Sequence, residues 1–185
     1  MTSPAASSAS VRKALRRFRR DRRASSAIEF AVIAPIFLAL LFATIETTLV
    51  FFAGQVLETG TLDSSRLIFT GTGGWTEAQF RNDFCPRVAA LFNCANIDLD
   101  LRAYPPGTTI TISDPLVGGA YVKNVAWQAA APDNTVVVRA FYQWPLIVTG
   151  LGYNIVNITS GSKRLLAATT AFHVEPGAPG APPGP

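Results

Sequence analysis

Twelve acidic residues, one histidine and two cysteines are the main side chains in this 185-residue sequence that could do chemistry. An enzyme needs such groups to converge, and here they are scattered: Asp83, Asp98, Asp100, Asp114 and Asp133 lie in separate stretches. Asp98 and Asp100 alternate with leucines, so both project from one strand face, where they could suit a cation or act as a carboxylate pair. The competing reading is the solvated face of a half-buried strand. His173 could be posed with one of many serines, but no nucleophile-elbow sequence is present. The glycine cluster Gly71-Thr72-Gly73-Gly74 follows no strand and lacks a lysine, which argues against a phosphate loop. Asn157-Ile158-Thr159 is a formal glycosylation sequon of little force. Trp75, Trp127 and Trp144 read as core or subunit contacts in preference to a ligand platform. The expectation is a protein that is not an enzyme and that carries neither cofactor nor metal.

Cys85 and Cys94 have eight residues between them. In an oxidising compartment such a pair reads as one disulfide; the alternative is two buried free thiols. His173 is distant in sequence and there is no second cysteine pair, so a zinc site is not indicated.

Charge is segregated along the chain. Arg12, Lys13, Arg16, Arg17, Arg19, Arg20, Arg22 and Arg23 are offset only by Asp21, although the whole chain is just +4. The basic character therefore belongs to a leader, and the remainder is net acidic. Phe30 to Ile45 follows without a charge, and Phe30 to Ala53 contains only Glu46. At 1.5 Å per residue that stretch reaches about 36 Å, enough to cross a hydrocarbon core of about 30 Å. The upstream arginines then place the N-terminus in the cytoplasm, with everything after Ala53 on the far side. A nucleic-acid-binding arm is a weaker reading of the basic run, because topology already explains it; no nucleic-acid partner is expected. A cleaved secretory signal ending at Ala53-Gly54 would need an apolar core longer than such signals carry. Arg16-Arg17 is a trivial pair among so many arginines.

Three residues in the apolar stretch call for explanation. Glu29 stands at its cytoplasmic edge, where it is either a headgroup-level carboxylate compensated by arginines or a partner for a positive group on another subunit. Glu46 poses the same question roughly 25 Å further along a helix. Pro35 removes one helical hydrogen bond, which membrane helices tolerate when neighbours satisfy the freed carbonyl. Together they describe a helix built to pack as well as to anchor.

The stretch Arg22-Arg23-Ala24-Ser25-Ser26-Ala27-Ile28-Glu29-Phe30-Ala31-Val32-Ile33-Ala34-Pro35 resembles the N-terminus of TadE-like proteins, minor pseudopilins of the tight-adherence (Flp) pilus. The shared pattern is a basic leader, a small residue, four residues, Glu-Phe, then an apolar run containing proline. Ile45-Glu46, the Gln55-to-Arg66 segment and Phe172-His173-Val174-Glu175-Pro176 are similar to later parts of the family pattern. The family usually has glycine where this chain has Ala24. The resemblance implies cleavage between Ala24 and Ser25 by a prepilin peptidase, and helix assembly through Glu29, Phe30, Pro35 and Glu46. It also implies other pilin-like subunits, an inner-membrane pilus assembly platform and the lipid bilayer as partners. Cleavage there would remove the basic leader and free an amino group at Ser25, one helical turn before Glu29. The competing function is a membrane-anchored extracytoplasmic binding or sensing domain that never enters a fibre.

Four segments follow: a basic cytoplasmic leader over 1–24, a transmembrane helix over 25–53, an extracytoplasmic α+β domain over 54–175 and a Pro/Gly-rich tail over 176–185. Ala53, Val56, Leu57, Gly60, Ser64, Leu67 and Ile68 continue the helix as one apolar-to-small stripe, with Gly71 to Gly74 ending it. Thr76 and Gln79 have capping-box spacing and open a second helix running toward Asn93, with Pro86 as a break. Ile97 to Tyr104, Thr108 to Ile112, Thr135 to Trp144 and Lys163 to Glu175 read as strands. A short helix is expected near Val122 to Ala130, and Leu146 to Ile158 is ambiguous between helix and loop. The fold class is α+β: a long N-terminal transmembrane helix on a small antiparallel sheet of about four strands, the pilin-like plan.

Overall fold

A computed structural model describes residues 25–69, 75–148 and 153–174. The basic leader, Ala24, the glycine cluster at 71–74 and the tail lie outside the described residues. The chain divides into two compact units, Met1–Thr44 and Ile45–Pro185.

Helix α1, Ser25–Phe69, begins in the first unit with Pro35 inside it. Proline removes the hydrogen bond to the Ala31 carbonyl without ending the helix. Phe30, Val32, Ile33, Ile36, Phe37 and Leu40 are all exposed, and the helix is long and apolar enough to cross a membrane. Thr44 turns its hydroxyl back onto the Leu40 carbonyl at 2.8 Å, which keeps a polar group from standing open on an apolar helix.

In the second unit α1 gains a buried face: Glu46, Val50, Ala53, Leu57, Thr61, Ser64 and Ile68, at three- and four-residue steps. Two buried hydroxyls are satisfied within the helix, Thr61 on the Leu57 carbonyl at 2.7 Å and Ser65 on the Thr61 carbonyl at 2.6 Å, while Ser64 donates to Asp83. The small residues serve close approach. A Cβ built on Gly60 would fall 2.7 Å from Val88 Cγ1 and 3.4 Å from the Phe84 ring, so a side chain there would push α1 off the helix that carries Phe84 and Val88.

Helix α2, Glu77–Val88, opens with the expected capping box: the Thr76 hydroxyl accepts from Gln79 N, and the Gln79 side chain accepts from Thr76 N. Phe80, Phe84 and Val88 are its buried face. Pro86 falls inside its last turns, and the helix stops at Val88, short of Asn93. A 3₁₀ turn at Cys94–Asn96 follows, capped by the Asn93 side chain. The Cys85–Cys94 disulfide is formed, tying that turn to α2. Arg81 reinforces the link by donating to the Cys94 and Ile97 carbonyls, each at 3.0 Å. Cys85→Ser paired with Cys94→Ser is expected to lower stability by roughly 2 kcal/mol through loop entropy, the Arg81 contacts limiting the loss. Denaturant midpoints of the two proteins measure it, and non-reducing peptide mapping locates the crosslink.

Strands β1 (Asp98–Tyr104), β4 (Thr135–Pro145) and β5 (Lys163–His173) form an antiparallel sheet in the order β1-β4-β5. The most strongly strand-forming run, Thr135 to Trp144, takes the centre. Strands β2 (Leu116–Val117) and β3 (Ala120–Tyr121) make a separate two-stranded ribbon. Its Gly118-Gly119 turn has φ of 59° and 76°, the left-handed backbone that two-residue hairpins need. One face of the main sheet, with Leu99, Leu101, Val136, Val138, Ala140, Leu166 and Ala168, packs with α1 and α2 into the core. On the other face Phe141, Ile158 and Leu165 make a smaller cluster beneath Leu116, Tyr121 and Val125.

Two expected elements differ. Thr108 to Ile112 is not a strand, and Val122 to Ala130 is not a helix. The reason lies at the edge of β1. Residues 126–128 are drawn out along it, with Leu101 N on the Ala126 carbonyl at 2.7 Å and Gln128 N on the Leu101 carbonyl at 3.0 Å. With β4 on its other side, β1 has no edge left for Thr108 to Ile112.

Candidate functional site

Four of the scattered acids, Asp83, Asp98, Asp100 and Asp114, are engaged through their side chains, whereas Asp133 is held by its backbone amide on the Val174 carbonyl. Asp100 is fully buried, which corrects its reading as part of a solvated strand face. The β1–β4 register sets it opposite Arg139, whose Nε and Nη2 donate to one carboxylate oxygen at 2.9 and 2.7 Å. Arg102 Nε and Ala126 N donate to the other at 3.2 and 2.8 Å. Arg139 also reaches the Ser113 carbonyl at 2.9 Å and lies 5.2 Å from the centre of the Phe141 ring. The segment from Ser113 to Ala126 thus lies over this face because the buried pair holds it by backbone hydrogen bonds. An arginine interrupting the apolar run Val136-Val137-Val138-Arg139-Ala140-Phe141 was the signal that a buried acid must lie opposite.

Asp98 accepts from the Tyr121 hydroxyl at 2.9 Å and pairs with Lys123. Burial, then the bond to Asp98, pushes the Tyr121 phenol well above its ordinary value. Asp83 binds Arg87 at 2.9 Å and Ser64 at 2.9 Å, joining α2 to α1, and the Arg87 hydrogen bond holds its carboxyl below the usual range. Asp114 closes a turn by accepting from Leu116 N at 2.8 Å. His173 is exposed at the end of β5, opposite Thr135. Among the described residues no group of three or more His, Cys, Asp or Glu side chains could hold a metal ion.

The predicted helix residues separate into two settings. Glu29, Phe30 and Pro35 are exposed on α1 in the first unit, and Ser25 begins the helix. Glu46 is buried in the second unit. Its carboxylate accepts from the backbone amides of Ile147 and Val148, the latter at 3.1 Å to Oε2. One residue further on, Thr47 donates to the Tyr153 hydroxyl at 3.0 Å. Glu46 thereby fastens the segment after β4 to α1, an intrachain task that no spacing in the sequence announced.

A groove of about 480 Å³ lies between α1 and β5, lined by Val50, Phe51, Gly54 and Glu58 on one side and by Arg164 and Ala167 on the other. It also presents the hydroxyls of Thr47 and Tyr153, which bond to each other, beside the acid Glu58 and the base Arg164.

No curated protein and no solved structure matches the chain. Residues 24–66, from the residue before α1 to Arg66 near its end, match the family model of TadE-like proteins.

Proposed function

We propose that this protein is a minor pilin-like assembly subunit of a tight-adherence pilus apparatus. The observation that supports it best is the TadE-like match over residues 24–66, which coincides with a helix whose first twenty residues expose apolar side chains and one carboxylate. Such a surface has two suitable environments, lipid and the apolar helices of other subunits. In this reading residues 1–24 are a cytoplasmic leader and 25–53 span the inner membrane. Residues 54–175 form the extracytoplasmic domain, and 176–185 its Pro/Gly-rich tail. A prepilin peptidase cuts between Ala24 and Ser25, and the assembly platform and other pilin-like subunits receive the freed helix. Glu29, Phe30, Pro35 and the apolar side chains around them form the packing surface. The function is structural, with no catalytic step.

Processing tests the proposal. Protein extracted from membranes of cells with an active prepilin peptidase is expected to begin at Ser25 by N-terminal sequencing and intact mass. A chain that keeps Arg12 to Arg23 overturns the processing and favours an anchored binding domain outside the fibre.

A further inference from the structure

We infer that the second unit carries an apolar collar that sits in the interfacial layer of the bilayer and sets the depth and orientation of the domain. The inference rests on the membrane reading above. Ile147 is 89% exposed, the largest exposure among the described large apolar residues. It is not stranded on a free loop, because its amide is bound by the Glu46 carboxylate, which holds it level with that turn of α1. Tyr153 is held to the same turn through Thr47 and is 41% exposed.

The helix shows the matching change. Away from buried Glu46, Val50 and Ala53, the exposed residues of α1 are Ile45, Thr48, Leu49, Phe51 and Phe52, Phe51 standing at the edge of the groove beside β5. Beyond them the free side becomes Gln55, Glu58 and Thr59. For two turns, therefore, α1 is packed against its own domain on one side and, apart from Thr48, remains apolar on the other. Ser25 to Phe52 as a helix rises about 42 Å, more than the hydrocarbon core of about 30 Å and close to the core plus headgroup layers. The two turns from Glu46 to Phe52 thus fall in the far headgroup zone, where the amphipathic ring of Tyr153 is at home and the apolar side chains of Leu49 and Phe52 can reach back toward the acyl chains. Lipid is the occupant favoured by this continuity with the span. The buried carboxylate is compatible with that depth because it is spent on two amides instead of facing lipid.

The full chain in phosphatidylethanolamine/phosphatidylglycerol vesicles tests this with single tryptophan additions and lipids brominated at defined acyl positions. Ile147→Trp and Phe52→Trp are expected to add emission that shallow-brominated lipid quenches, whereas Leu62→Trp, about 15 Å further along α1, adds emission that it does not. Phe37→Trp, within the apolar run, is expected to be quenched by deep bromines. Quenching at position 37 with none at positions 147 and 52 overturns the collar and leaves the anchor standing. Absence of quenching at all four positions removes the membrane reading itself. Shielding of positions 147 and 52 from both bromolipid and aqueous acrylamide overturns the collar in favour of a second copy of the chain covering it.

Discussion

Asp100→Ala is expected to destabilise the second unit by about 3–5 kcal/mol, because it leaves Arg139 buried without its carboxylate. That is a large share of the 5–15 kcal/mol that typically separates folded from unfolded states. The loss has three parts on one side chain: the paired hydrogen bonds from Arg139, the bond from Arg102 and the bond from Ala126 N that holds the covering segment. Asp98→Ala, on the same strand face, is expected to cost about 1–2 kcal/mol, since its ion-pair partner Lys123 is 63% exposed and the main loss is the hydrogen bond from Tyr121. Denaturant unfolding of the disulfide-intact protein compares the two. Asp100→Leu combined with Arg139→Met should recover most of the loss, as replacing both buried charges removes the desolvation penalty along with the attraction. A loss under about 1 kcal/mol for Asp100→Ala would show that Arg139 finds water or another acceptor.

Glu29→Ala is expected to abolish or sharply reduce pilus production at unchanged protein abundance. In the proposed assembly, cleavage frees an amino group at Ser25, and the Glu29 carboxylate of an adjacent subunit neutralises it between apolar helices. Loss of one partner of a charge pair in such surroundings leaves the other uncompensated, at a cost of about 3–5 kcal/mol. Membrane insertion should persist, because the substitution removes a charge from an apolar helix. Counting pili and measuring subunit abundance in the same cells separates assembly from stability. Normal pili at normal abundance would take the role from Glu29 and put the anchored-domain reading ahead.

Local chemistry was legible in the sequence wherever neighbours along the chain decide the outcome. The apolar run from Phe30, the Thr76–Gln79 capping box and the β-branched run at Thr135 each contain their own signal within a few residues. The Cys85–Cys94 pair was legible because its two ends are close in the chain. The stripe from Ala53 to Ile68 was read correctly because helical periodicity sorts its faces before any partner is known. The α+β class follows from these elements together.

The rest was decided across long separations. Asp98 and Asp100 look alike in an alternating strand, and sequence alone assigns them the same face. Only the β1–β4 register brings Arg139 to Asp100 across 39 positions, while Asp98 meets Lys123 at the rim. Burial then makes one acid a core ion pair and leaves the other a surface one. The stretch from Val122 to Ala130 has composition that suits a short helix, yet the open edge of β1 offers hydrogen bonds that an extended chain alone can take. Glu46 read either as a headgroup-level carboxylate or as a partner for another subunit, because sequence shows only the apolar residues around it. In the fold it lies under the segment after β4, 101 positions away, and accepts that segment's amides. Propensity and periodicity act within one element, whereas these assignments depended on which edges, faces and buried charges the assembled sheet left to be satisfied.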